Sequence, residues 1–334
     1  MIAYSMCTDM RAAPGLPPTP AHYDRVIELV RLAERLGYRT VWTTEQHGVD
    51  DGYLPAPLIA LSAFARETST IRLGTGIHLL TLTQPRRVAE EAGVLDVLSN
   101  GRLTLGVGAG VNPHEFRIFH RSLADRARLM EEGLSFLRRA LSGEPPADGY
   151  PISVGPVQRP VPLIVGGLAK PAVDRAARLA DGLLSYSLVD AEVEVPQLWN
   201  ERIAPAMERH GRTPGDFRLA LSAMVWASDD WEREWREHVG AAFRYQQVMY
   251  AEWAGGGEED LPAFLRQPSW DLDEVRRRMF VGRPDEVAER LSALREVFPF
   301  DEIVIWPALP GVPFELAEKC LRTFATQVAP AVKG

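Results

Sequence analysis

Apolar and polar positions alternate along this chain in a repeating order of short and long segments. A short apolar run is followed by a polar or glycine-containing turn, and then by a longer stretch in which apolar residues recur every three or four positions. This order is typical of strand and helix units whose strands lie parallel. The apolar runs span Ile2 to Cys7, Thr40 to Thr44, Ile71 to Gly76, Leu103 to Val107, Val161 to Val165, Gly182 to Tyr186, Phe217 to Trp226 and Glu302 to Trp306.

Helical stretches follow each of these runs. They span His22 to Leu36, Pro57 to Glu67, Pro85 to Leu98, Leu123 to Leu141, Pro171 to Leu179, Pro196 to His210, Trp231 to Trp253, Pro284 to Val297 and Pro313 to Val332. Eight strands, each followed by a helix, are the number in a closed (β/α)8 barrel, whereas an open doubly wound sheet more often has about five to seven strands. We therefore predict an α/β chain folded as a (β/α)8 TIM barrel.

No linker rich in glycine, proline or serine divides the chain, so we predict one domain over residues 1–334. The segment from about 227 to 282 is too long for a plain connection and is interpreted as an insertion between the seventh and eighth strands. It is rich in aromatic residues. They form either a hydrophobic lid over the barrel mouth or the core of an amphipathic helix.

Charge and cysteine content narrow the class of protein. The net charge is -8, from 37 Lys+Arg and 45 Asp+Glu, and no basic run offers a surface for nucleic acid or an anionic membrane. Cys7 and Cys320 lie far apart and form no C-x-x-C pair, which favours two buried thiols in a reducing compartment. Neither a secretion signal nor a long uncharged apolar run is present, so we predict a soluble, cytoplasmic protein.

The candidate site lies where the predicted strands end, because active sites of such barrels form at the carboxyl ends of the strands. Glu45, Gln46 and His47 follow the second run, His78 follows the third, and His114 follows the fourth. Three of the seven histidines thus fall at one end of the barrel. They are either ordinary solvated loop residues or members of a shared site.

A metal site is one interpretation of this group of Glu45 and three histidines, since imidazole and carboxylate are usual zinc ligands. Metal-dependent barrels commonly place an H-x-H pair at the end of the first strand, and this chain has Met6, Cys7 and Thr8 there. We therefore predict no metal, and keep a metal-dependent hydrolase as an alternative.

Two glycine segments predict different roles. The segment G-V-G-A-G at Gly106 to Gly110 precedes N-P-H-E-F, which is not expected to open a helix. A dinucleotide-binding Rossmann turn is therefore not indicated. We expect these glycines to leave room for a flat ligand. Val165 to Gly182 instead has the pattern of a strand, a glycine turn and a helix, which directs free N–H groups and a helix dipole into the mouth. A phosphate site is predicted there, with Lys170 either adding a charge or simply solvated.

Four segments, in order along the chain, match one family. They are V-W-T-T-E-Q-H-G at Val41 to Gly48, I-R-L-G-T-G-I at Ile71 to Ile77, A-E-E-A-G-V-L-D-V-L-S-N-G-R-L-T-L-G-V-G-A-G at Ala89 to Gly110, and R-A-A-R-L-A-D-G at Arg175 to Gly182. With these motifs the chain resembles the bacterial luciferase-like monooxygenases over essentially its whole length. The resemblance implies a TIM barrel that binds FMN or a deazaflavin coenzyme.

The resemblance also implies roles for single residues. Gly76-Ile77 occupies the place of a bulge, often a non-proline cis peptide, that presses against the isoalloxazine ring. Gly167 to Ala169 match the segment whose backbone holds the flavin phosphate, while Asn112 and Glu115 line the ring or the pocket beside it. The cofactor-binding residues implied in this way are Thr75, Gly76, Ile77, Asn112, Glu115, Gly166, Gly167, Leu168, Ala169 and Lys170.

Two positions depart from the family pattern. Many relatives have Glu-His-His after the second strand, with the middle His as the proposed acid/base, but here the middle residue is Gln46, which does not titrate. We expect His47 or His114 to take that role. Luciferase has an Arg for the phosphate where this chain has Ala109, so the phosphate relies more on the helix N-terminus. The predicted catalytic residues are His47, His114, Glu45 and Gln46.

The implied function is that of a two-component monooxygenase. Reduced FMN, supplied by a separate flavin reductase, and dioxygen act on a small organic, hydrophobic substrate. Deazaflavin-dependent relatives more often have Asp-His in place of Glu45-Gln46, which favours FMN. The alternatives are a deazaflavin-dependent hydride-transfer oxidoreductase and a non-catalytic flavin-binding protein. The family also implies a homodimer that pairs through the helices predicted at Pro57 to Glu67 and Pro85 to Leu98.

Overall fold

The structure of the protein is a computed structural model that describes residues 2–146, 148–186, 188–267 and 269–333. Within these residues eight parallel strands close into a barrel, in which the first strand pairs with the eighth and the third with the fourth. The barrel strands are Ala3–Thr8, Thr40–Thr43, Arg72–Thr75, Leu103–Gly108, Leu163–Gly166, Gly182–Tyr186, Arg218–Ser222 and Glu302–Ile305. The predicted TIM barrel is confirmed.

Three shorter strands accompany the barrel. His78–Leu79 pairs with the end of the fourth strand, and Val225–Ala227 pairs in parallel with Phe280–Gly282 in a separate sheet. The single seventh strand predicted from Phe217 to Trp226 is therefore wrong. The chain turns out of the barrel there. The carbonyl of Met224 accepts a hydrogen bond from the N–H of Phe280, which lies outside the barrel.

Helices surround the barrel. They span Pro20–Arg35, Pro57–Glu67, Pro85–Leu98, Pro113–Ile118, Arg126–Ala140, Lys170–Leu179, Ala191–Leu198, Ala204–Arg209, Trp231–Glu234, Gly240–Trp253, Ala263–Arg266, Leu272–Arg278, Pro284–Val297 and Phe314–Thr323. Three π-helical turns extend or join them, at Trp199–Ile203, Trp235–Val239 and Phe324–Val328. A proline begins several of the helices, since the first helical turn needs no backbone N–H donor there.

The helix Pro113–Ile118 was not expected from the sequence. Asn112 begins it, and its side chain accepts a hydrogen bond from the N–H of His114 at 2.9 Å. The prediction that N-P-H-E-F opens no helix is therefore wrong, because an Asn cap followed by proline is a sufficient start signal for a short helix.

Trp42 fills the barrel beneath the carboxyl ends of the strands. Its side chain is 1% exposed, and its Nε1–H donates to Oε1 of Glu302 at 2.9 Å. A Cβ at Gly74 would lie 2.5 Å from the indole, and one at Gly76 or Gly106 would lie 3.3 Å from it. The glycines on the third and fourth strands thus accommodate a large ring that forms the floor of the mouth.

The insertion carries aromatic side chains of two kinds. Trp235 and Phe243 are fully buried, with ring centroids 5.9 Å apart, and form part of the core. Tyr250 and Trp253, on the insertion helix Gly240–Trp253, are only partly buried and contact loops at the barrel mouth. The interpretation as a helix core therefore applies to Trp235 and Phe243, and the interpretation as a lid applies to Tyr250 and Trp253.

Both cysteines, Cys7 and Cys320, are buried free thiols, as predicted. Burial raises the pKa of each thiol, which keeps it protonated and unreactive. Among the described residues, no helix combines the length and the apolar character needed to cross a membrane.

Candidate active site

The ends of the second and third strands bring one carboxylate and two histidines together. Oε1 of Glu45 lies 2.8 Å from Nε2 of His47, and Oε2 lies 2.6 Å from Nδ1 of His78. Oε2 also accepts the N–H of Leu79 at 2.9 Å. Burial raises the pKa of the Glu45 carboxyl, but the two histidines and this N–H outweigh it and lower the pKa to about 2. Glu45 is therefore a fixed negative charge that orients two imidazoles.

His78 belongs to this group of contacts although the sequence assigned it no catalytic role. It is 5% exposed, and its Nε2 lies 3.4 Å from the hydroxyl of Thr83. Its place after the third strand was the available signal, but no spacing rule shows that it shares a carboxylate with His47. Within the described part of the chain, no group of three or more His, Cys, Asp and Glu side chains is arranged to hold a metal ion.

A second carboxyl group, that of Glu115, lies buried next to these residues. Glu115 is 1% exposed, and its Oε1 accepts the backbone N–H of His47 at 2.8 Å. Burial raises the pKa of the carboxyl and the charge of Glu45 adds to the rise, so that the pKa reaches about 7 despite the opposing effect of His47. Glu115 therefore exchanges its proton near neutral pH, as an acid/base residue must.

Gln46 is a buried residue of the same loop. Its backbone N–H donates to the carbonyl of Leu54 at 3.1 Å, whereas its side-chain Nε2 has no hydrogen-bond partner among the described residues. Gln46 is 8% exposed. Because buried amides nearly always donate a hydrogen bond, this position is suited to a ligand with an acceptor atom.

Neither His114 nor Asn112 forms a hydrogen bond or ion pair with the Glu45 carboxylate among the described residues. The side-chain oxygen of Asn112 is committed to capping its helix. The ring of His114 is exposed beside Gly48, where a Cβ would lie 2.8 Å from its Nε2, and it forms no hydrogen bond or ion pair with any described residue. Of the two predicted acid/base histidines, the structure brings only His47 to Glu45.

The peptide bond between Gly76 and Ile77 is cis, as the resemblance implies. The side chain of Ile77 lies across the ends of the fourth and fifth strands. A Cβ at Gly108 would lie 1.8 Å from its Cδ1, and a Cβ at Gly166 would lie 2.5 Å from its Cγ2. Ile77 therefore occupies the centre of the mouth only because both neighbours lack a side chain.

The glycines of the fourth strand serve the packing of the protein itself. A Cβ at Gly106 would lie 2.0 Å from the carbonyl oxygen of Thr75, and the Thr75 hydroxyl donates to the Gly106 carbonyl at 2.6 Å. The expectation that the glycines of this segment leave room for a flat ligand is thus corrected for Gly106 and Gly108. They make room for the end of the third strand.

The turn from Gly166 to Ala169 leads directly into the ten-residue helix Lys170–Leu179. Gly167 has a φ of +145°, a conformation that favours glycine. The backbone N–H groups from Gly167 to Lys170 donate no hydrogen bond within the described part of the chain. They lie at the positive end of the helix dipole, which suits them to an anion such as a phosphate.

Arg202 supports this turn and was missed by the sequence analysis. Its Nη1–H donates to the carbonyl of Leu168 at 2.6 Å, and the two residues line a cavity of about 300 Å³ with Ser185 and Tyr186. Lys170, the cation that the sequence indicated, is exposed. Because Arg202 lies 34 residues beyond Leu168, no local motif could have indicated it.

A buried arginine joins the first two loops to the insertion. The guanidinium of Arg11 forms ion pairs of 2.8 Å with both Asp9 and Asp51, and lies 4.6 Å from the ring centroid of Tyr53. The hydroxyl of Tyr53 lies 2.8 Å from that of Tyr250 on the insertion helix. This set of contacts, which the sequence did not indicate, holds the insertion helix at the barrel mouth.

Proteins of known name align with nearly the whole chain. The 4-hydroxyprotoasukamycin monooxygenase of Streptomyces nodosus subsp. asukaensis is 29% identical over 330 residues, which cover 93% of this chain and 87% of that protein. The oxygenase component of the flavin-dependent trigonelline monooxygenase of Acinetobacter baylyi is 24% identical over 334 residues, which cover 92% and 89%.

Solved structures share the barrel. The oxygenating constituent of 3,6-diketocamphane monooxygenase from Pseudomonas putida, in complex with FMN, matches with a TM-score of 0.74 at 20% identity, over 99% of each chain. The coenzyme F420-dependent tetrahydromethanopterin reductase of Methanopyrus kandleri matches with a TM-score of 0.75 at 17% identity, also over 99% of each chain. At these identities the likeness shows the fold alone.

The family description that matches this chain covers residues 2–299 and reads luciferase-like monooxygenase. This match spans all of the site described above and most of the barrel. The chain belongs to the luciferase-like monooxygenase family.

Proposed function

We propose that this protein is the oxygenase component of a two-component, FMN-dependent monooxygenase. The observation that carries the proposal is the row of free backbone N–H groups from Gly167 to Lys170, which suits the phosphate of FMN. One relative is named as a flavin-dependent oxygenase component, and a neighbour in fold is described in complex with FMN. Relatives of known activity are named monooxygenases, so the chain is an enzyme, and the non-catalytic alternative is set aside.

The residues at the mouth fit this cofactor. The glycine turn would hold the phosphate, Ile77 would support the isoalloxazine ring, and the free Nε2 of Gln46 would donate to an acceptor atom of that ring. Reduced FMN, when bound, supplies the electrons that allow one atom of dioxygen to enter a small organic substrate while the other leaves as water.

The other residues of the site hold protons and exclude water. Glu45 keeps the rings of His47 and His78 in place, and Glu115 holds a proton on its carboxyl group near neutral pH. The insertion helix, held by Tyr250, limits access of water to the mouth. Glu115 thus supplies the titratable group that Gln46 does not.

Anaerobic titration of the full chain tests the cofactor assignment. We expect reduced FMN to bind more tightly than reduced deazaflavin, and subsequent addition of ¹⁸O₂ with a substrate to place one labelled atom in the product. A flavin reductase is the proposed partner that delivers reduced FMN. Tighter binding of the deazaflavin, or a product without label, would contradict the proposal.

A deazaflavin-dependent hydride-transfer oxidoreductase is the second candidate. The fold matches the F420-dependent reductase with a TM-score of 0.75 and the FMN complex with a TM-score of 0.74, so the barrel itself does not separate them. The same anaerobic titration does, because hydride transfer from the deazaflavin proceeds without dioxygen.

A homodimer through two neighbouring helices is also proposed. Helices Pro57–Glu67 and Pro85–Leu98 pack together and expose a set of large apolar side chains. These are Ile59 at 74%, Val94 at 43%, Val97 at 48% and Leu98 at 42% exposure. Exposed apolar side chains gathered on adjacent helices mark an association surface. The free cysteines accord with a cytoplasmic location, which we likewise propose.

A further inference from the structure

A second cavity, of about 310 Å³, lies beside the carboxyl end of the first strand. It extends between the loops after the first and eighth strands and the helices Pro20–Arg35 and Phe314–Thr323. Most of its wall is apolar and includes Leu16, Val26, Leu309 and Val312. Ligand sites measure about 300 Å³ or more, and an apolar cavity of about 150 Å³ holds benzene, so this cavity has room for one or two fused rings.

The cavity opens to solvent at one end and is buried at the other. Leu16 at its rim is 61% exposed, whereas Leu309 is 2% and Thr8 is 1% exposed. Thr8 is the last residue of the first barrel strand. The buried end of the cavity therefore lies at the carboxyl ends of the strands, which is the side of a TIM barrel on which active sites form.

This cavity lies across the barrel from the proposed flavin site. The first and eighth strands pair with each other, as do the fourth and fifth strands, whose ends contact Ile77. In a closed ring of eight strands these two pairs are opposite each other. A molecule in the cavity therefore leaves the turn from Gly166 to Ala169 free for a phosphate.

The charges along the cavity favour an uncharged molecule. The guanidinium of Arg11, which lines the cavity, is already paired at 2.8 Å with both Asp9 and Asp51. Burial lowers the pKa of His22, despite the opposing effect of the Met10 carbonyl, so its imidazole is neutral at neutral pH. Because burial of a charge without a free partner is costly, an anion would bind here more weakly than a neutral molecule.

Two rings belong to the wall of this cavity. The ring centroids of His22 and Phe314 lie 5.4 Å apart with an interplanar angle of 52°, and both side chains are only partly buried. Aromatic side chains gain from offset or edge-to-face contact with a further ring. The wall thus favours an aromatic molecule over an aliphatic one of the same size.

We propose that this cavity is the subsite that binds the aromatic part of the substrate, a neutral group of one or two fused rings. The assignment to the substrate rests on the proposed monooxygenase function. It refines the small hydrophobic substrate expected from the sequence, and it puts the substrate on the side of the barrel opposite the phosphate of the cofactor.

Calorimetric titration of the full chain tests the subsite with two probes. They are indole, a neutral molecule of two fused rings, and indole-2-carboxylate, which adds a negative charge. We expect indole to bind about tenfold more tightly, since the carboxylate would lose water without gaining a free positive partner. Reduced FMN, added first under anaerobic conditions, should leave the affinity for indole unchanged, because a substrate must bind together with the cofactor.

Two variants assign indole binding to the cavity. Ala13→Phe fills the cavity from a partly exposed position of its wall, and we expect it to abolish indole binding while the affinity for reduced FMN is kept. Phe314→Leu removes one ring of the wall and should weaken indole binding about fivefold. Phe314 lies 5.2 Å from the guanidinium of Arg25. Phe136 lies 5.7 Å from that of Arg86, in a similar arrangement outside the cavity, so Phe136→Leu is the matched control.

Four results overturn the subsite: no binding of indole, equal affinity for indole-2-carboxylate, unchanged indole binding in Ala13→Phe, or displacement of indole by reduced FMN. Equal losses in the two leucine variants would likewise overturn the aromatic wall. Indole binding without affinity for reduced FMN would contradict the proposed function alone, and affinity for reduced FMN without indole binding would contradict the subsite alone.

Discussion

The carboxyl group of Glu115 accepts the backbone N–H of His47 at 2.8 Å and thereby joins the fourth-strand loop to the second-strand loop. The contact places a group whose pKa is about 7 beside the loop in which Gln46 replaces a titratable residue. The sequence pointed to His47 or His114 for this task. In the structure His47 has a fixed carboxylate partner, and His114 is exposed. Glu115 is therefore the stronger candidate for the acid/base role.

The stability of the fold should report the proton on Glu115. Its pKa rises from an ordinary 4.5 to about 7 in the folded protein, so the folded state holds a proton that the unfolded state releases between these values. The stabilisation is complete below pH 4.5 and is lost as the pH rises through 7. We expect the free energy of unfolding to fall by up to about 3 kcal/mol over this window, and much less in Glu115→Gln.

Urea unfolding across this pH range measures the effect. Glu289→Gln, at an exposed site on the helix Pro284–Val297, should keep the slope of the unsubstituted protein. Since the other ionisable groups are common to all three proteins, only the difference between the two variants reports Glu115. Equal slopes in both would show that folding does not raise the pKa of this carboxyl group.

Removal of the Glu45 carboxylate should destabilise the fold strongly. Glu45→Gln leaves His47 and His78 without their charged partner, and loss of one member of a buried ion pair costs about 3 kcal/mol. The pKa of Glu45 is lowered to about 2, so its contribution is present above pH 4.5 and is lost as the pH falls toward 2. Unfolding at neutral and at acidic pH should therefore show a deficit that shrinks with acidity. Glu28→Gln, which removes an exposed partner of Arg25, should cost less than about 1 kcal/mol.

Much of the fold could be predicted from the sequence because barrel units are local. Pro57–Glu67, Pro85–Leu98 and Pro284–Val297 have the predicted bounds, since a proline marks the start of each helix and the apolar period continues to its end. The six-residue helix Pro113–Ile118 was missed because it is too short to show a period. The division of the seventh strand depends on a partner strand that lies far along the chain.

The site was predictable only where a residue follows its strand directly. Glu45 and His47 were indicated by position, whereas the contacts of Arg202 with Leu168 and of Arg11 with Asp51 join segments 34 and 40 residues apart. The pKa of Glu115 depends on burial by neighbouring loops, which no residue pattern in one loop encodes.

Arg202 and Lys170 should differ in their effect on cofactor affinity. Arg202→Met removes the donor that holds the Leu168 carbonyl, and we expect reduced FMN to bind about tenfold more weakly because the turn loses its geometry. Lys170→Met removes the same charge at an exposed position, and should change the affinity less than about twofold. Anaerobic titration of each variant measures this. Equal losses would mean that net charge, and not the turn, controls binding.

Charge placed on the exposed apolar helix face should dissociate the homodimer that we propose. Val94→Asp combined with Val97→Asp puts two carboxylates on helix Pro85–Leu98, and we expect the dimer dissociation constant to rise about a hundredfold or more. Sedimentation equilibrium measures the constant directly. Val297→Asp, at a comparably exposed valine elsewhere (51%), should leave it unchanged. A dimer that survives the double substitution must use a different surface.

Shortening of the Ile77 side chain should affect the stability of alanine variants at Gly108 and Gly166 differently. Ala at Gly108 meets Cδ1 of Ile77 at 1.8 Å, and Ala at Gly166 meets Cγ2 at 2.5 Å, so each substitution should destabilise by about 1–3 kcal/mol. Ile77→Val deletes Cδ1 and keeps Cγ2. It should therefore restore much of the stability lost in Gly108→Ala and little of that lost in Gly166→Ala, a coupling that double-mutant cycles of urea unfolding measure. Gly215→Ala, where the nearest atom is 3.7 Å away, is the control. Additive energies at Gly108 would mean that Ile77 does not lie across the fourth strand.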